Sequence, residues 1–190
     1  DPAPVPDDLN YSMWLGEAPE APYSPTRTHK DCWRQMRDYA GGTLTDWGAH
    51  IMDTAQVANF SENSGPVEVE GTGIIPPNAM NSMPLEFSLK YKYANGVVLS
   101  LSSRDPKLGG GATFIGEKGK ITIFREGYEC EPAGLDEDPL PPDAVRVYES
   151  DNHMENFFQC VESRKDPIMK IENGHAVATL CHLGNIARRL

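Results

Sequence analysis

The sequence has no CxxC pair, few basic residues, no long apolar run and no nucleotide-binding glycine fingerprint. Each absence removes a class of protein. The four cysteines, Cys32, Cys130, Cys160 and Cys181, are widely spaced and match no zinc pattern. They read as reduced, mostly buried thiols, with one disulfide allowed if the protein is exported. Lys and Arg total 17 against 28 Asp and Glu, a formal net charge of −11. That balance disfavours nucleic acid and anionic membrane surfaces, which need cations to neutralise phosphate, but leaves a neutral small molecule open. No apolar stretch approaches the ~20 residues of a membrane span. No basic-then-apolar opening marks a signal peptide. The glycine-rich "GGGATFIGEKGK" (109–120) has no GxxxxGK[ST], and no GxGxxG opening a helix after a strand. It is not read as a phosphate loop.

What is present reads as a globular chain. Its 190 residues suffice for one domain with a real core or two small ones. The chain begins at Asp1 rather than Met and ends inside a helical pattern, so an excised domain with a piece upstream is expected. Six of the sixteen prolines fall in residues 1–25, which predicts an extended arm or loop over residues 1–40. That arm also holds Tyr11, Trp14, Tyr23, Trp33 and Tyr39. A free linker would not carry so many rings, so the arm is expected to pack on an α+β body spanning 41–190.

The body shows two periodicities. From Thr45 to about Ala58 the pattern is helical. Trp47, Ile51, Ala55 and Ala58 form one stripe, and Asp46, His50, Asp53 and Val57 form another. Then the period becomes two. "VEVEG" (67–71), "LEFSLKYKYA" (85–94) and "VVLSLSS" (97–103) read as strands, the last two joined by Asn95-Gly96 as a hairpin. "ATFIG" (112–116) and "KITIFR" (120–125) predict a second hairpin, and "VRVYE" (145–149) a further strand. The acidic, proline-broken 126–143 reads as a loop. Two helices close the chain, at 152–164 with Phe157, Cys160 and Val161 inward, and at 173–190 with Ala176, Leu180, Leu183, Ala187 and Leu190 as its stripe. The fold class is α+β: an open, largely antiparallel sheet of four to six strands with helices on one face.

The chemistry centres on "GGTLTDWGAHIMD" (41–53). Asp46, His50 and Asp53 at i, i+4 and i+7 face one way on a helix. They fit an acid/base site, a polar helix face, or part of a metal site. The metal reading lacks HExxH and a third strong ligand. Six of the ten Trp and Tyr residues lie in 11–47, just ahead of this stripe. Rings beside polar groups suit a sugar pocket, and also suit an anchored arm. Arg27, His29 and Lys30 read either as substrate contacts or as surface charge. His153, His175 and His182 have no spacing that suggests chemistry.

"SMWLGEAPEAPYSP", "WRQMRDYAGGTLTDWGAHIMD", "FIGEKGKITI" and "MENFFQCVESRKDPI…GHAVATLCHLGNIARRL" together resemble the C-terminal domain of the Gfo/Idh/MocA oxidoreductases, of the bacterial type with a WLGPAP-like arm. The likeness runs along nearly the whole chain in order. It implies an α+β domain on an open antiparallel sheet that supplies substrate contacts and an oligomer interface. It also implies a separate N-terminal Rossmann domain, absent here, that binds NAD or NADP, so this chain alone would hold no cofactor and be inactive. In sugar and polyol dehydrogenases of the family, a D-x3-H element follows a Gly-Gly segment. Asp46 and His50 match it, which implies His50 as the acid/base and Asp46 as its orienter. Trp14, Tyr23, Arg27 and Trp47 would border a sugar or polyol. Glu17 stands where the family's arm has Pro. Two other classes stay open: a non-catalytic assembly module, and a metal-dependent lyase or isomerase using Asp46 and His50.

Overall fold

The computed structural model describes residues 1–61, 63–75, 82–103, 111–137 and 139–190. Gly109 and Gly110 of the glycine-rich stretch lie outside the described residues. The chain folds as two compact units, one of residues 1–50, 66–104 and 180–190, the other of residues 51–65 and 105–179.

The first unit is built on a three-stranded antiparallel sheet in the order β1 (Glu68–Ile74), β2 (Glu86–Lys92), β3 (Val98–Ser102). The β2–β3 turn is the Asn95-Gly96 hairpin that the sequence predicts. Gly96 takes φ +87°, and the Tyr93 N–H bonds Val97 O at 2.9 Å. Alternation along β2 buries Phe87, Leu89 and Tyr91 on one face. Each such side chain contributes about 1.5–3 kcal/mol when fully buried. The other face carries charge: Lys92 pairs with Glu68 at 2.6 Å and Lys90 with Glu70 at 3.4 Å, from directly opposed positions. Exposed pairs of this kind add at most about 1 kcal/mol each.

The end of α5 (Ile171–Ala187) covers the buried face of this sheet. Tyr91 donates its hydroxyl to Leu180 O at 3.2 Å, fully buried. Gly184 lets the two approach, because a Cβ there would land on the Tyr91 hydroxyl and the Leu89 side chain. Burial also pushes the Cys181 thiol up to about 12. Of the expected stripe, Leu180 is buried, Ala176, Leu183 and Ala187 are half-buried and Leu190 is fully exposed; the other buried residues of this helix are Val177, Cys181, Gly184 and Asn185. The helix turns on its two small or polar positions, Gly184 and Asn185, which a hydrophobic count overlooks.

The arm is not simply extended. It contains α1 (Tyr11–Leu15), α2 (Pro25–Thr28) and a 3₁₀ turn (Trp33–Gln35). Pro25 opens α2, where no N–H is needed, and Ser24 caps it by accepting from Arg27 N. Asn10 caps α1 in the same way through Met13 N. The rings pack on one another: Tyr11 stacks on Trp14 at 5.8 Å, and meets Tyr23 edge-on at 5.4 Å.

In the second unit the other strands, β4 (Ala112–Gly116), β5 (Gly119–Phe124) and β6 (Gly127–Glu131), form their own antiparallel sheet. Among the described residues all strand pairing is antiparallel, as expected, but divided between two three-stranded sheets rather than one. β6 falls where a loop was read, since its residues are acidic and glycine-led. The expected strand at 145–149 is absent; that segment is irregular. On α4 (His153–Ser163) the buried residue is polar Asn156, while Phe157 and Val161, expected inward, are exposed. Asn156 holds the Tyr148 hydroxyl at 2.7 Å and accepts from Ile168 N at 3.0 Å, so it fixes the irregular segment and the α4–α5 connection. No helix among the described residues is long and apolar enough to cross a membrane.

Two glycines on α5 give a paired test. Gly184→Ala should destabilise by about 1–3 kcal/mol, the cost of overpacking. Gly174→Ala, with open space around it, should be neutral or stabilise by up to about 1 kcal/mol. Denaturant midpoints of the two variants decide it; equal shifts would refute the close approach. Independently, maleimide at pH 8 should label Cys32, Cys130 and Cys160 well before Cys181 in the folded protein, read by peptide mass.

Candidate functional site

The double glycine places the site. Gly42 adopts φ +76°, a conformation that Gly reaches at no steric cost, and its N–H bonds Arg34 O at 2.9 Å. A Cβ on it would come within 2.7 Å of Met83. Gly41 O accepts from Asn185 Nδ2 at 2.9 Å, which ties this turn to the end of α5. From this anchored turn the chain enters α3 (Trp47–Ala58), near the predicted start.

The buried side of α3 is one residue out of phase with the expectation. Leu44, Gly48, Met52 and Gln56 are buried, while Trp47 is 56% exposed. Gly48 has Leu44 Cδ1 3.1 Å from where a Cβ would stand, so glycine, not tryptophan, makes the inward contact there. Trp47 instead meets the exposed His50 ring edge-on at 6.2 Å. Asp46, at the head of the helix, receives Arg34 Nη1 on Oδ2 at 3.3 Å. Arg34 in turn lies 5.9 Å over the Trp33 ring. Asp53 is half-buried further along α3.

Trp33 leads to the arm residues. With Trp14, Leu15, Ala18, Asp38 and Tyr39 it lines a cavity of about 390 Å³. Trp14 meets Tyr39 edge-on at 5.0 Å, and Arg27 donates to the Tyr39 hydroxyl at 2.9 Å and to Pro22 O at 3.2 Å. Arg27 is thus committed to the aromatic cluster, and Tyr23 reaches it through Tyr11 rather than lining the cavity. His29 and Lys30 are exposed beside Asp31. The structure therefore brings together two groups among the predicted residues: Trp14, Tyr23 and Arg27 in the cluster, and Trp47 with His50 on α3. Asp46, paired with Arg34, lies one residue before Trp47 at the head of α3. Arg34, Trp33, Asp38 and Tyr39 were not singled out as site residues. Arg34 lies twelve positions before Asp46 across a turn, where no helical or strand spacing rule applies.

Chemically, the arrangement offers an exposed imidazole, a carboxylate held by a guanidinium, and ring faces beside a second carboxylate. Among the described residues no group of three or more His, Cys, Asp or Glu could hold a metal ion. The described strands run through antiparallel turns with no glycine-rich strand-to-helix junction, so these residues do not fit a dinucleotide.

Comparison with known proteins defines the class. A family model described as "Oxidoreductase family, C-terminal alpha/beta domain" matches residues 1–190, and the chain belongs to this Gfo/Idh/MocA C-terminal domain family. No curated protein sequence matches. Among solved structures, an NAD-binding protein from Listeria innocua aligns at 15% identity and a TM-score of 0.54, over 83% of this chain and 52% of that one. An aldose-aldose oxidoreductase from Caulobacter crescentus, complexed with glycerol, aligns at 14% identity and a TM-score of 0.52, over 83% of this chain and 48% of that one. The chain thus spans about half the length of the structures it matches, and at these identities the likeness is one of fold.

Arg27→Ala removes two hydrogen bonds from the aromatic cluster. It should lower stability by about 1–2 kcal/mol, with a matching change in tryptophan fluorescence from the cluster. An unchanged midpoint and spectrum would show that Arg27 does not organise the rings.

Proposed function

We propose that this chain is the substrate-binding part of an NAD(P)-dependent oxidoreductase acting on a sugar or polyol. The observation that carries the reading is the Arg34–Asp46 pair at the head of the helix that presents His50, in a chain of this oxidoreductase family. The aromatic cavity beside Trp33 supplies the supporting chemistry: ring faces for the C–H surfaces of a sugar, and Asp38 for its hydroxyls. That the Caulobacter relative is an aldose-aldose oxidoreductase agrees with this substrate class.

In this reading His50 is the acid/base. Its imidazole takes the proton of the reacting hydroxyl during oxidation, or returns it during reduction. Asp46, fixed by Arg34, orients that hydroxyl. Arg34 is a positioning residue. The nicotinamide, when bound in a complete enzyme, supplies the hydride chemistry; it belongs to a Rossmann half outside this chain, so this chain alone is expected to be inactive. If copies assemble through a sheet, the second offers Ile123 and Tyr128, directly opposite and exposed, beside the Lys120–Glu131 pair.

In the full-length enzyme His50→Ala should lower kcat by ~10²–10⁴, the contribution of general acid/base catalysis. Arg34→Lys should retain more activity than Arg34→Ala, because it keeps a cation beside Asp46. Turnover of His50→Ala at the wild-type rate would remove His50 from the mechanism.

A further inference from the structure

A second cavity, of about 640 Å³, opens in the first unit and is lined by Arg37, Asp38, Gly41, Met83, His182, Asn185 and Arg189, among others. Its size suits a hexose-sized molecule. Its charge is opposite to that of the chain, which carries −11 overall. Two arginines and a histidine face one carboxylate, Asp38, which already lies 3.8 Å from Arg37 Nε. With two arginines against one carboxylate the lining is net positive, and net charge in a concavity raises the local concentration of the opposite ion.

The end of α5 sharpens this. Arg188 Nη2 and Arg189 Nη2 converge on one atom, Met83 Sδ, at 3.9 and 3.5 Å. A thioether is a weak acceptor and cannot neutralise two guanidinium groups. Among the described residues no carboxylate pairs with either arginine. Nε and Nη1 of Arg188 are buried with no acceptor. Its desolvation, aided by the like charge of Arg189, pulls the Arg188 guanidinium down to about 10. Arg188 lies 5.9 Å over the Phe87 ring and does not line the cavity, whereas Arg189 does, so an anion there meets the Arg189 guanidinium. Beside them Asn185, 6% exposed, uses its Nδ2 on Gly41 O and leaves Oδ1 without a donor.

We propose that this cavity binds an anionic, hydroxylated small molecule, of the sugar-acid or sugar-phosphate class. Its anionic group is held by Arg189 and Arg37 next to Met83. A hydroxyl supplies the donor that Asn185 Oδ1 lacks, while Nδ2 stays on Gly41 O. The proposal goes beyond the role of His50 and does not depend on it.

The test is calorimetric titration of the full chain at low ionic strength with D-glucuronate, D-glucose 6-phosphate, D-glucose and inorganic phosphate. At least one charged sugar should bind ~10-fold or more tighter than glucose, and tighter than phosphate alone. Arg189→Gln and Arg37→Gln, both at exposed positions, should each weaken it ~10–100-fold with an unchanged thermal midpoint, the range for a hydrogen bond to a charged group. Equal binding of glucose, equal binding of phosphate alone, wild-type affinity in both variants, or no binding of any probe would each overturn the proposal. None of these readouts uses turnover, so failure here and failure of the acid/base role of His50 are separate results.

Discussion

The buried hydrogen bond from Tyr91 to Leu180 O is the joint on which the first unit depends. It locks the end of α5 over the sheet at a spacing that only Gly184 permits. One residue further, Asn185 reaches Gly41 and holds the turn from which α3 departs. Gly42 then returns to Arg34, and Arg34 holds Asp46. A continuous run of contacts thus leads from the sheet core to the Asp46 carboxylate at the head of the helix that carries His50. Every link is a backbone close approach or a bond to a main-chain carbonyl, until the last. Such links define position more tightly than apolar packing does, because each has a direction as well as a distance.

The two charged groups at the site sit in different company. Asp46 is satisfied by Arg34 within the arm-to-helix turn. The arginines at the end of α5 are not satisfied by any described carboxylate. A protein of net charge −11 has acids to spare, so leaving Arg189 on the cavity wall with only the Met83 sulfur beside it is an arrangement suited to an incoming ligand.

Much of the fold was legible from local rules. The Asn95-Gly96 hairpin, the alternation of β2 and the helix from Trp47 to Ala58 all follow from turn chemistry and period. What was not legible had a physical reason in each case. The inward face of α3 is set by Gly48 and Gln56, residues that a hydrophobic stripe passes over in favour of Trp47. β6 is written in Tyr and Glu rather than in branched apolar residues, and its partner β5 supplies the register. Asn156 and Asn185, the buried polar anchors, act through bonds to distant backbone, which no spacing in sequence announces. At the site, the D-x3-H element was visible as a spacing, while its partner Arg34 needed the turn at Gly42 to come near.

The central claim is that the helix leaving the Gly41-Gly42 turn presents His50 to a reacting hydroxyl. A crystal structure of the full-length enzyme with nicotinamide cofactor and a sugar or polyol bound tests it most directly. The reacting hydroxyl should lie within hydrogen-bond reach of the His50 imidazole, with the Asp46 carboxylate on the same substrate. A substrate whose reacting carbon lies beside a different acid or base, with His50 turned to solvent, would contradict it.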